Sequence, residues 1–138
     1  MKRVVFNQKG GVGKTSITCN LAAISAARGL RTLVVDLDVQ GNTTHYLVGE
    51  IDADAFPAEA QGAAGLFKQT VGSRKMRQNP DSFVWETPWE NLFLLPSSPV
   101  LTQLERELES RYKIYKLRDA LQKLDAEYDR VYIDTPPN

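Results

Sequence analysis

One cysteine, Cys19, and one histidine, His45, are the whole supply of thiol and imidazole in 138 residues. A lone thiol closes no intrachain disulfide, which suits a reducing compartment. It also leaves no Cys/His set for a structural zinc or an iron–sulfur cluster. Cys19 falls in a helix-like stretch and reads as a small buried apolar side chain. His45 has no cysteine or second histidine to share a metal with. Net charge is missing too: 17 basic residues balance 17 acidic ones. Global charge therefore gives no support for nucleic-acid binding. The small cluster Arg74, Lys75 and Arg77, near Lys68, reads first as a solvated face, with weak DNA contact as the other reading. No apolar run approaches the length of a membrane span. The N-terminus enters a strand at once, so no signal peptide is expected. Internal repeats and low-complexity tracts are absent. The length can bury one core, and residues 1–138 are expected to form a single domain.

Strand and helix patterns alternate along the chain. Arg3 to Phe6, with Val4 and Val5, reads as a buried strand. Lys14 to Arg28 reads as a helix, because Ile17, Leu21 and Ile24 recur at helical spacing among good helix formers. Gly29 supplies its C-terminal stop. Thr32 to Asp36 is a second strand, and the resulting βαβ unit predicts that the two strands run parallel. Thr43 to Val48 fits a short helix. Ala53 to Gly65 reads as a loop, leading into a helix over Ala63 to Val71. Trp85 and Trp89 flank Pro88 and read as packing residues. Leu92 to Leu95 is a third short strand. Ser98 and Pro99 open a helix that carries Leu101, Leu104 and Leu108. A further helix carries Ile114, Leu117, Leu121 and Leu124, and both leucine-rich stripes should face the sheet. Arg130 to Ile133 is the last strand. This alternation predicts an α/β fold with a parallel sheet flanked by helices.

Between the first strand and the first helix lies Lys9-Gly10-Gly11-Val12-Gly13-Lys14-Thr15. A glycine-rich turn there gathers backbone N–H groups in one concavity, and the helix N-terminus adds partial positive charge. The order predicts a nucleoside-triphosphate site of the P-loop kind. Gly10, Gly11, Val12 and Gly13 would wrap the phosphates, and Lys14 would reach the β- and γ-oxygens. Thr15 would ligate Mg²⁺, and Ser16 would donate to the α-phosphate. Gln8 departs from the general pattern, which has glycine there. Asp36 and Asp38 sit at and just beyond a strand end, where parallel sheets bind ligands. Asp134 ends the last apolar strand.

Lys9 is not needed to build the turn, and with it a family resemblance enters. Asn7 to Thr15 resembles the deviant Walker A motif of the ParA/MinD-type ATPases. Val34-Val35-Asp36-Leu37-Asp38-Val39-Gln40-Gly41-Asn42 is similar to a second ParA segment, with Val39 where proline is usual. Tyr128 to Pro137 is similar to the family's Walker B strand. The resemblance spans the whole chain but about half of a typical family domain. It implies a P-loop NTPase fold cut off after the Walker B strand, with ATP/ADP and Mg²⁺ as ligands. By the same resemblance Thr15, Asp36 and Asp134 attend the metal, Asp38 positions the attacking water, and Lys9 reaches a partner subunit's phosphates. Gln40, Gly41 and Asn42 would form a switch sensing the γ-phosphate.

Also implied are an ATP-dependent homodimer, a ParB-type partner protein, nonspecific DNA contact and a cytoplasmic, nucleoid-associated role in DNA partition or cargo positioning. No terminal membrane helix of the MinD kind is expected, which favours ParA over MinD. The chain is further expected to be a fragment of a longer protein, folding poorly and hydrolysing ATP weakly by itself. Two other readings stand beside this one. One is a cobyrinic acid amide synthase-like enzyme, disfavoured because Cys19 lies in the wrong context for a glutamine-handling nucleophile. The other is a nucleotide-binding module without turnover.

Overall fold

The computed structural model describes residues 2–5, 12–38, 41–49, 83–97, 119 and 121–134. Along the chain run β1 (Lys2–Val5), α1 (Val12–Ala27), β2 (Thr32–Asp36), α2 (Asn42–Val48), β3 (Trp85–Glu86), β4 (Leu92–Leu95) and β5 (Arg130–Asp134). Residues 121–125 are also helical. The expected loop over 53–65, the helices over 63–71 and from Ser98 to Leu108, and the positions Ile114 and Leu117 lie outside the described residues.

Among the described residues the strands form one sheet in the order β1-β5-β2-β4-β3. The pairs β1/β5, β5/β2 and β2/β4 are parallel, as the alternating pattern predicts. β3 is the exception: it runs antiparallel to β4, so the sheet is mixed. Its two residues are too few to leave a period-2 signal. The turn back to β4 needs a left-handed residue, and Asn91 takes it at φ 64, a conformation asparagine tolerates. β1 and β2 are parallel but not neighbours, because β5 slots between them.

The central strands bury both faces, which explains their continuous apolar runs. Alternate residues serve two cores. Leu33, Val35, Leu95, Val131 and Ile133 face one side, where Leu121, Leu124, Tyr128 and Phe83 cover them. Val34, Leu92, Leu94 and Tyr132 face the other, against Cys19, Ala22 and Ala26 of α1 and Leu47 of α2. A buried hydrogen bond of 2.7 Å between Ser25 Oγ and Tyr132 OH fastens α1 to β5.

α1 meets the sheet through small side chains, with Thr18, Cys19, Ala22, Ser25 and Ala26 buried. Ile17, Leu21 and Ile24, whose spacing predicted the helix, are exposed on another face. Among the described residues no helix is long and apolar enough to cross a membrane.

α1 stops where the sequence says it should. Gly29 adopts φ 83. Its N–H donates to the Ala26 carbonyl at 3.0 Å, and the Leu30 N–H donates to the Ser25 carbonyl at 3.1 Å. These are the paired bonds of a Schellman cap. A Cβ at position 29 would touch nothing within 4 Å, so a substitution there costs backbone strain alone. Gly29→Ala is expected to lower stability by about 1 kcal/mol, and Gly29→Asn by less. Urea unfolding checks this, and an alanine variant as stable as wild type would contradict the cap.

Candidate functional site

α1 begins at Val12, two residues before the sequence suggests. Val12, Gly13 and Lys14 therefore belong by their backbone to the first helical turn. The first N–H groups of a helix have no intrahelical acceptor. That turn carries no acidic residue of its own to meet the helix's partial positive charge. The glycine at position 13 hides this in the sequence, because glycine is a poor helix former. Thr15 follows with its side chain buried, and Ser16 is half-buried. Lys9, Gly10 and Gly11 lie outside the described residues.

Asp36 and Asp134 close β2 and β5 and are paired in register across those strands. By strand alternation each follows the parity of a residue that faces α1: Val34 for Asp36, and Tyr132 for Asp134. Both are buried, with relative exposures of 0% and 1%. The second turn of α1 lies over the pair, since the Cys19 thiol feels the charge of both. Asp36 is held up to about 6. Burial is the largest cause, opposed by hydrogen bonds from Thr44 and reinforced by the charge of Asp134. Asp38 stands just past the strand and is also buried. The structure thus brings Asp36, Asp38 and Asp134 to one end of the sheet, while Thr15 is buried in the first turn of α1, the helix that packs on the face of Val34 and Tyr132.

Two buried carboxylates on register-paired strand ends suit a divalent cation, which would relieve their repulsion. Among the described residues no set of three His, Cys, Asp or Glu side chains converges to hold a metal alone. A cation here would draw its remaining ligands from Thr15, water and a bound anion, as Mg²⁺ prefers.

The sequence reading missed three residues of this site. Thr43 donates its hydroxyl to Asp134 Oδ2 at 2.6 Å. Thr44 donates its N–H at 2.9 Å and its hydroxyl at 2.6 Å to Asp36 Oδ2. The Asp38 N–H donates to Asp36 Oδ1 at 3.1 Å. Ser97, after β4, donates its N–H to Thr44 Oγ1 at 2.9 Å and its hydroxyl to the Asp38 carbonyl. Two adjacent threonines at a helix start are the only trace of this in the sequence, and they read there as ordinary helix-opening residues. Of the expected switch, Gly41 caps α2 at φ 67 without a side chain, Asn42 is exposed, and Gln40 lies outside the described residues.

The residues set aside in the sequence fall mostly where expected. Cys19 is buried and its thiol is pushed up to about 11, chiefly by desolvation. His45 is exposed. Trp89 corrects the packing expectation: it is 53% exposed and, with Tyr46, rims a groove of about 620 Å³ along the C-terminal half of α1. The tight turn through Thr87, whose hydroxyl donates to the Leu92 carbonyl at 2.7 Å, turns the indole outward.

Comparisons with known proteins agree with this geometry. The family model described as an AAA domain matches residues 2–138. The chromosome partitioning protein ParA of Myxococcus xanthus is 37% identical over 135 residues, 97% of this chain and 44% of that protein. A cobyrinic acid a,c-diamide synthase from Mycobacterium smegmatis, solved with bound ADP and magnesium, superposes with a TM-score of 0.77. It is 35% identical, over 100% of this chain and 52% of the other. An ATP complex of Cyanothece McdA gives a TM-score of 0.80 at 26% identity, over 99% and 48%. The chain spans about half the length of the relatives it matches. With the glycine loop at the head of α1 and an aspartate closing each of two adjacent strands, the chain belongs to the AAA-domain P-loop proteins, in the ParA/Soj branch that carries the deviant Walker A motif.

Proposed function

We propose that this chain is the Mg²⁺-dependent ATP-binding and hydrolysing unit of a ParA-type switch, which acts in DNA partition or related cargo positioning through ATP-dependent dimerisation. The observation that carries the reading is the combination of three features on one face of the sheet. The reading is supported by the first turn of α1, which has no acidic residue of its own, by the buried Thr15 in it, and by the buried, register-paired Asp36 and Asp134 on the strands under that helix.

In this reading the first-turn N–H groups of α1 and those of Gly10 and Gly11 bind phosphate oxygens. The Lys14 ammonium neutralises the terminal phosphates. Thr15, Asp36 and Asp134 hold Mg²⁺, which when bound screens phosphate charge and polarises the scissile group. Asp38 accepts a hydrogen bond from the attacking water and orients it in line. Lys9 acts across the dimer, so that hydrolysis waits for a second copy, as with an arginine finger. A ParB-type protein and nonspecific DNA are the partners this scheme calls for, in the cytoplasm at the nucleoid.

One specific observation favours a second reading, an ATP-dependent amidating enzyme. The Mycobacterium smegmatis synthase is more similar in sequence than the McdA structure is. Glutamine-dependent amidation, however, needs a nucleophilic thiol. The one cysteine of these 138 residues is buried, with its thiol held up to about 11, so Cys19 is not that nucleophile. A nucleotide-binding module without turnover is a third reading, and hydrolysis assays separate it from the first.

Calorimetric titration with ATP and ADP in Mg²⁺ tests the reading. Saturable binding is expected, and Lys14→Ala should weaken it at least about tenfold. A folded chain that binds neither nucleotide would refute it. Lys9→Ala should leave monomer binding largely intact but abolish the ATP-dependent rise in mass seen by light scattering.

A pH dependence follows from Asp36, whose folded value of about 6 lies above its unfolded 3.8. Folding favours its protonated form, so this contribution to stability is complete below the unfolded value and is lost as pH rises through the folded one. The loss is at most about 3 kcal/mol. In EDTA the urea midpoint should fall between about pH 4 and pH 6.5. Asp36→Asn should flatten that fall, and saturating Mg²⁺ with ATP should reverse it. A wild-type midpoint that rises over this range in EDTA would contradict the assignment.

A further inference from the structure

We infer that Thr43 and Thr44 are positioning residues for the metal site: their hydroxyls fix the carboxylates of Asp134 and Asp36 in the orientation that receives Mg²⁺. The inference rests on the magnesium–nucleotide reading above and deepens it.

A threonine in the first turn of a helix normally turns its hydroxyl back onto nearby backbone. Neither threonine does so here. Thr43 sends its proton to Asp134, 91 residues away in the chain, and Thr44 sends its own to Asp36 on another strand. Both bonds are 2.6 Å, the length of a charge-assisted O–H···O⁻ bond. Both side chains are buried, so water cannot replace them. The two acceptors are register neighbours on β2 and β5. One short helix thus grips one oxygen of each member of the pair.

Support of α2 alone does not account for this. Gly41 caps the helix without a side chain, and the Thr44 N–H already finds Asp36. The Thr43 hydroxyl satisfies no backbone group of α2; its bond serves Asp134. Ser97 completes the arrangement from the end of β4. Its N–H occupies a lone pair of Thr44 Oγ1, which commits the Thr44 proton to Asp36. Carboxylates in a dry site rotate easily when a donor is lost, and a metal needs their oxygens in one place.

The test is titration of Mg²⁺ into the chain saturated with ATP, followed by calorimetry, for wild type, Thr43→Val, Thr44→Val, Thr43→Ser and Thr44→Ser. Valine keeps the shape and removes the hydroxyl, whereas serine keeps the hydroxyl. The valine variants should lose about tenfold or more in Mg²⁺ affinity, with the serine variants within about threefold of wild type. ATP affinity measured in EDTA should change much less than Mg²⁺ affinity in every variant. Circular dichroism confirms that each variant is folded. Valine and serine variants with equal Mg²⁺ affinity would overturn the inference while leaving the nucleotide reading intact. So would valine variants that lose thermal stability but bind Mg²⁺ like wild type. A wild-type chain that binds no ATP in either condition would refute the nucleotide reading itself, and the positioning role with it.

Discussion

Two carboxylates that share a dry corner would repel each other unless something held them, and the rest of the site is arranged around that constraint. Asp36 and Asp134 close adjacent parallel strands with almost no exposure. Strand alternation turns both toward α1, so neither can escape to solvent without breaking the sheet register. Donors from three segments answer them: the chain after β2, the first turn of α2, and, through Thr44, the end of β4. An arrangement kept at this cost points to a function, because buried like charges are a poor way to stabilise a fold. On the nucleotide reading, the cost becomes useful, because a cation bound there would relieve the repulsion between the carboxylates.

Topology makes the corner possible. β5 comes from the far end of the described chain, yet it lies between β1 and β2. A simple β1–α1–β2 crossover with its strands side by side would leave Asp134 no place beside Asp36. Because the crossover skips one strand position, β5 pairs directly with β2, and the aspartates ending those two strands come to a common edge. Segments remote in sequence therefore meet through parallel pairing alone, before any side chain of the site contributes.

Much of this was legible in the residues. Thr32 to Asp36, Leu92 to Leu95 and the strand ending near Asp134 carry runs buried on both faces, and such runs announce parallel strands without any partner information. Gly29 announced its own left-handed cap. The placing of Asp36 and Asp134 at strand ends was readable, because each closes a continuous apolar run. Thr43, Thr44 and Ser97 were not readable, since a hydroxyl that bonds a carboxylate 91 residues away looks the same in sequence as one that caps its own helix. β3 was lost for a different reason: two residues have no periodicity.

α1 shows most directly how packing overrode pattern. Its large apolar residues, Ile17, Leu21 and Ile24, have the spacing expected of a buried stripe, yet they are exposed. The face it buries is made of threonine, serine, cysteine and alanine, a composition that an apolar-periodicity argument passes over. The sheet beneath it is already filled by Val34, Leu92, Leu94 and Tyr132. A second layer of leucine and isoleucine would hold the helix axis farther away, because interaxial and helix–sheet spacings grow with the side chains between them. Small residues let α1 settle close, and the Ser25–Tyr132 hydrogen bond fixes that depth. On the nucleotide reading, the helix has given up apolar contact area in exchange for the position of its N-terminus, and that exchange is why the most hydrophobic stripe of the segment is not its core.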